Sequence, residues 1–203
     1  MRAGFAICGA LVLTSCHVIE FRGQDVRETS AVSVYMAALG SLCNGQAYAG
    51  ELVSRDQVDA GFREQLIVMG PATCSDGEVR IPLSVGEDRS RTWVVTRTKA
   101  GVRLKHDHRH RDGRADQLTQ YGGDSSGDGD AIRQIFPVDA PTRALFTREG
   151  IAVSNQNTWA IEIRPEEGFI YEMWRPDRHF KIEFDLSEPV AAPPLPWGME
   201  PVE

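Results

Sequence analysis

From residue 46 onward, apolar side chains recur at every second position in short runs broken by turn residues. That alternation limits the chain to sheet structure with one face turned inward and one outward. In residues 157–163, Trp159, Ile161 and Ile163 share one face while Thr158, Ala160 and Glu162 share the other. In residues 178–185, Phe180, Ile182 and Phe184 oppose His179, Lys181, Glu183 and Asp185. The same pattern predicts strands over 46–54, 62–69, 79–85, 91–98, 101–110, 117–121, 132–136, 143–147, 157–163, 169–174 and 178–185. Between them lie turn signals such as Glu87-Asp88-Arg89, Lys99-Ala100-Gly101, Asp112-Gly113, Glu149-Gly150, Glu166-Glu167-Gly168 and Pro176-Asp177. Connections this short favour antiparallel neighbours. The expected fold is therefore mainly β, an antiparallel meander of about eight to eleven strands closing as a barrel or half-barrel, because closure removes the unpaired edges of an open sheet.

One substantial helix is expected ahead of the strands. Glu28-Thr29-Ser30 can cap it, and Val32, Tyr35, Ala38, Leu39 and Leu42 fall on one helical face before Asn44-Gly45. Residues 28–188 read as a single domain, and the proline-rich 189–203 as an extended tail whose Trp197 tucks against the body. Residues 122–130, Gly-Gly-Asp-Ser-Ser-Gly-Asp-Gly-Asp, look like the most flexible stretch. Asp124, Asp128 and Asp130 partly follow the spacing of a calcium loop, but Ser126 and Ile135 stand where further oxygen ligands are needed.

The first sixteen residues have the layout of an export signal. Arg2 is followed by an apolar stretch from Ala3 to Leu13, shorter than the ~20 residues that span a bilayer. Leu13-Thr14-Ser15-Cys16 resembles the lipobox of bacterial lipoproteins. That resemblance implies cleavage before Cys16 and lipidation of its thiol; the other reading is plain secretion with Cys16 an ordinary residue. His17 follows, in place of the Asp that holds such lipoproteins at the inner membrane, so the resemblance implies an outer-membrane anchor facing the periplasm. Residues 17–27 would be a tether. The chain has four cysteines. Cys8 leaves with the leader and Cys16 takes the lipid, which leaves Cys43 and Cys74. In an oxidising compartment these two most simply pair, the other reading being two buried thiols.

Composition narrows the partners. The net charge of −7 argues against nucleic acid, whose phosphates call for a basic surface. No His-Glu-x-x-His or phosphate-loop pattern occurs, so an enzyme is the minority expectation and no catalytic residue is assigned. The sharpest feature is residues 101–113, Gly-Val-Arg-Leu-Lys-His-Asp-His-Arg-His-Arg-Asp-Gly. On a strand, Val102, Leu104, His106, His108 and His110 point one way. The two aliphatic members mark that face as inward, so three imidazoles would line one end of the barrel. Histidines at i and i+2 on a strand suit a transition metal such as zinc, with His179 the other candidate imidazole. The favoured reading over a metal site is polar residues lining a barrel end or a ligand-contacting wall; a surface hairpin tip with its charges solvated on both sides is a further reading. His106-x-His108 opens the His-x-His-x-Asp-His run of metallo-β-lactamases, but His110 and Arg111 stand at its last two places. The cupin run fails similarly, with Gly101 one place off and Asp112 where Glu belongs. Trp93, Tyr121 and Tyr171 are candidates for the border of an unfilled interior.

A helix followed by meandering strands over residues 28–186 resembles the calycin barrels, lipocalins among them, although Gly50-Glu51-Leu52 stands where lipocalins carry Gly-x-Trp. The resemblance implies a cavity for a small, partly apolar ligand. A metal-binding protein or metal-dependent enzyme using His106, His108 and His110, and a structural envelope protein with a protein partner, stay open as alternatives.

Overall fold

The computed structural model describes residues 30–127 and 129–199. The leader, Cys16 and the tether lie outside the described residues. Helix α1 spans Ala31–Gly40, and the Ser30 hydroxyl accepts from the Ser33 amide at its start. Tyr35 and Leu39, one turn apart, are fully buried. The Tyr35 hydroxyl donates to the Ile161 carbonyl at 3.3 Å, which holds the helix against the sheet.

Eleven strands follow: β1 Ala47–Leu52, β2 Ile67–Met69, β3 Thr73–Ser75, β4 Glu78–Val85, β5 Asp88–Arg97, β6 Val102–His108, β7 Tyr121–Asp124, β8 Arg133–Pro137, β9 Thr158–Arg164, β10 Gly168–Arg175 and β11 Arg178–Val190. All pairings are antiparallel, in the order β7-β6-β5-β4-β2-β1-β11-β10-β9-β8, with β3 attached to β4. The first long strand thus pairs with the last, and the two ends of the order are consecutive in sequence. The expected meander is present and nearly closes as a barrel.

The remaining seam lies between β7 and β8. It is drawn together by Ser126 N–H to the Ile135 carbonyl and by Asp139 N–H to the Gly122 carbonyl, each at 3.1 Å. The Thr142 hydroxyl accepts from Gly122 N–H at 2.9 Å. The backbones approach so closely that a Cβ on Gly123 would stand 1.8 Å from the Pro137 carbonyl oxygen. The pair Gly122-Gly123 is therefore strand rather than flexible loop, and its lack of side chains is what lets the edges meet.

Other departures from the expected elements have local causes. Residues 143–147 are not a strand but part of helix α3, Ala140–Arg148. Asp139 caps it by accepting from the Thr142 amide, and Pro141 sits in its first turn, where a missing N–H costs nothing. The expected strand 62–69 splits into a short helix α2, Ala60–Arg63, and β2. Residues 117–120 precede β7 as irregular chain, and β11 runs on to Val190, past the boundary expected at 188.

The interior is walled by large side chains, with Phe136, Trp159, Ile161, Phe169 and Ile182 all nearly or fully buried. A disulfide joins Cys43 to Cys74, with Cα atoms 5.9 Å apart, and fastens the end of α1 to β3. On the outer face of β6, Asp107 is buried beneath the C-terminal segment and accepts from Arg80 at 2.6 Å. The Trp197 backbone N–H donates to the Arg89 carbonyl at 3.2 Å, and Arg111 lies over the Trp197 ring.

The seam makes a direct prediction. Gly123→Ala should lower the urea midpoint by an amount equivalent to about 2 kcal/mol or more, because backbone has to move. Gly61→Ala, in α2 with open space around it, should leave stability unchanged or slightly raised. Equal midpoints for the two variants would show that the seam is not tightly closed.

Candidate functional site

The barrel holds a partly open cavity of about 300 Å³. Its walls come from both halves of the sheet. Pairing of β5 with β6 sets Trp93 opposite His106 and Arg91 opposite His108, and all four line the cavity. Across from them stand Tyr171 and Met173 of β10, Phe180 of β11 and Trp159 of β9. Asp59, Phe62, Leu118, Ile151, Ser154 and Arg178 also line it. The Trp93 and Tyr171 rings stack with centroids 4.5 Å apart, so the apolar surface is largely aromatic.

His106 is buried and has both ring nitrogens engaged. Its Nδ1 lies 3.1 Å from the Tyr121 carbonyl oxygen, which only accepts, so the proton sits on Nδ1. Its Nε2 then accepts from the Tyr171 hydroxyl at 2.8 Å. The ring stacks on Tyr121 with centroids 4.3 Å apart. Burial, aided by the neighbouring His108, pushes the His106 pKa down to about 3, and the imidazole is neutral at neutral pH.

His108 is less deeply buried than His106. Its Nε2 is 3.3 Å from the Tyr121 hydroxyl, and the other ring nitrogen has no protein partner among the described residues. Burial and then the Arg91 charge pull its pKa down to about 4, against the pull of Asp116, Asp88 and Asp107. Burial likewise pushes the Tyr121 phenol up to about 12 and the Tyr171 phenol upward.

The third imidazole does not join them. Strand β6 ends at His108, two residues earlier than the alternation predicts. His110 N–H donates to the Arg114 carbonyl and Gly113 N–H to the His110 carbonyl, so the chain turns back at Asp112-Gly113. The His110 side chain is half exposed, 3.8 Å from Asp116. His179 sits on the outer surface with its Nε2 2.6 Å from Glu172. Among the described residues, no three His, Cys, Asp or Glu side chains gather where they could hold a metal ion. In the glycine-rich segment, Asp124 forms a two-pronged ion pair with Arg103, and Asp130 caps the Ile132 and Arg133 amides. Asp128 lies outside the described residues.

Trp93, Tyr121 and Tyr171 line the cavity as expected from their strand positions. Two arginines and a carboxylate were not foreseen. Arg178 forks onto Asp59 through both terminal nitrogens, also reaches Asp56, and lies over the Phe180 ring. Arg91 donates through Nη1 to Asp88 at 2.5 Å and lies over the Phe62 ring. Arg91 had a legible signal, since it is two residues before Trp93 on the same strand face. Asp59 and Phe62 had none, because they enter from the α2 region, where strand alternation was expected.

No protein-family model, curated protein or solved structure matches this chain. Among the described residues, no helix is long and apolar enough to cross a membrane.

The depressed histidines fix a sign for stability against pH. Below a pKa of about 6.5 the unfolded chain takes up protons that folded His106 and His108 refuse down to about 4 or 3. Their contribution is complete above about pH 7 and declines as pH falls, by roughly 1.5–2 kcal/mol per histidine between about pH 7 and pH 5. His106→Gln should lessen that pH slope in urea unfolding, whatever its effect at pH 7. An unchanged slope would mean that His106 titrates normally.

Proposed function

We propose that this protein is an exported, envelope-anchored binding protein that holds one small, partly apolar molecule inside its barrel. One observation carries the proposal: a cavity of about 300 Å³ remains between aromatic walls, with His108 and Arg91, partners across the β5–β6 ladder, in its lining. At ~30 Å³ per water in the liquid, this is room for about ten waters, or for one or two fused rings with a substituent. Small-molecule sites have this character of mostly apolar walls and a few placed polar groups. The geometry favours an organic ligand over a metal ion, because His106 spends both nitrogens on Tyr121 and Tyr171. Export is supported by the leader pattern and by the Cys43–Cys74 bridge, since disulfides persist in oxidising compartments. Lipid on Cys16 would supply the membrane attachment.

Two experiments test these statements separately. Naphthol, a neutral fused-ring probe, should bind one-to-one with a Kd of about ten to a few hundred micromolar and raise the unfolding midpoint. Met173→Trp, which fills the cavity, should abolish that binding while the protein stays folded by circular dichroism. Failure of naphthol to bind the wild-type protein would sink the cavity reading. For the anchor, mass spectrometry of the protein expressed with its leader in a Gram-negative host should find the mature N-terminus at an acylated Cys16. Cys16→Ala should move the protein to the soluble fraction. An unmodified Cys16, or membrane attachment kept in Cys16→Ala, would reject lipidation.

A further inference from the structure

We infer that the cavity takes a ligand with a carboxylate head group, held by the Arg91 guanidinium with the outward ring nitrogen of His108, while its apolar body lies against Trp93 and Tyr171. The inference rests on the cavity reading above and goes further by naming the ligand's chemistry. Besides the protonated phenols of Tyr121 and Tyr171, five titratable groups line the cavity: Asp59, Arg91, His106, His108 and Arg178. Four are accounted for or neutral. Asp59 and Arg178 satisfy one another through a two-pronged ion pair. His106 has no free nitrogen, and His108 is uncharged at neutral pH. Arg91 differs. Its only protein hydrogen bond among the described residues is the single prong to Asp88, which leaves Nε and Nη2 without protein acceptors there.

Position makes those unused donors consequential. The Arg91 side chain is about three-quarters buried, at 27% exposure, with its guanidinium over Phe62. A cation partly withdrawn from water favours full hydrogen bonding, and a guanidinium fork matches the two oxygens of a carboxylate. His108 lies directly across the β5–β6 ladder from Arg91, so its unpartnered nitrogen adds a further contact at the same end of the cavity. The Asp88 carboxylate, at 40% side-chain exposure, is the more solvated partner of the pair.

Naphthoate and its uncharged analogue naphthamide, titrated calorimetrically, test the inference against naphthol as the reference for the cavity. Naphthoate should bind wild-type protein about tenfold more tightly than naphthamide, as expected for one charge-assisted contact. Arg91→Gln should remove that preference while changing naphthamide binding less than about threefold. Asp88→Asn should tighten naphthoate binding by releasing Nη1, which keeps the test decisive if Arg91→Gln unfolds. Equal binding of the two probes, or parallel loss of both in Arg91→Gln, overturns the carboxylate while naphthol binding leaves the cavity reading in place. Binding of none of the three probes overturns both.

Discussion

The pairing of β1 with β11 is the contact on which the rest of the molecule depends. It brings Ala47 opposite Val190 and makes a ring of what would otherwise be a long open meander. Once the ring is nearly closed, the parity of every strand is fixed, because a slip of one residue would turn each apolar row to solvent. β11 carries this load on both edges, pairing with β1 on one side and β10 on the other. Its inward row of Phe180, Ile182 and Phe184 is buried throughout. Gly50 shows how close the fit is, since a Cβ there would lie 2.4 Å from the Phe184 ring.

The seam opposite that pairing shows a second solution to the edge problem. β7 and β8 do not share a regular ladder. They meet instead through a few hydrogen bonds at their ends, over two residues without side chains. Helix α3 follows directly, and Thr142 in its first turn reaches back to both the amide and the carbonyl of Gly122. The helix therefore covers backbone that a barrel with a complete ladder would satisfy internally.

Much of this was legible before any coordinates, and the misses share a cause. Alternation located the long strands well where both faces had clear character, as in residues 157–163 and 178–185. It failed where a short local motif outweighed pattern. Asp139 with Pro141 starts a helix in a stretch whose apolar residues also fit a strand, and burial of Thr142 and Phe146, four apart, follows helical spacing. Gly122-Gly123 looked flexible because glycine gives no pattern, whereas its role depends on the carbonyl of Pro137 fourteen residues later. In the site, His106 and His108 were legible from strand parity, and Trp93, Tyr121 and Tyr171 from the recurrence of aromatic residues along the strands. His110 was misplaced because parity says nothing about where a strand stops. Asp59 and Phe62 depended on a tertiary approach that no local pattern encodes.

Strand β6 is held from both faces, which explains how polar residues come to sit in a β-barrel wall. Inward, His106 is clasped by the Tyr121 carbonyl and the Tyr171 hydroxyl. Outward, Asp107 is buried among Arg80, Arg109 and Thr119 under the C-terminal segment. A buried imidazole without partners would be costly, and so would a buried carboxylate. With partners supplied on each side, each residue instead penalises any shift in register, since a shift would strand it. The charge state follows from this. The inner imidazoles are neutral because they are desolvated, and of the two only His108 keeps a ring nitrogen without a protein partner among the described residues. The cation in the cavity wall that lacks a two-pronged partner is Arg91, which donates only to Asp88 among the described residues. Its position is in turn set by the register that His106 and Asp107 enforce from opposite sides of the neighbouring strand.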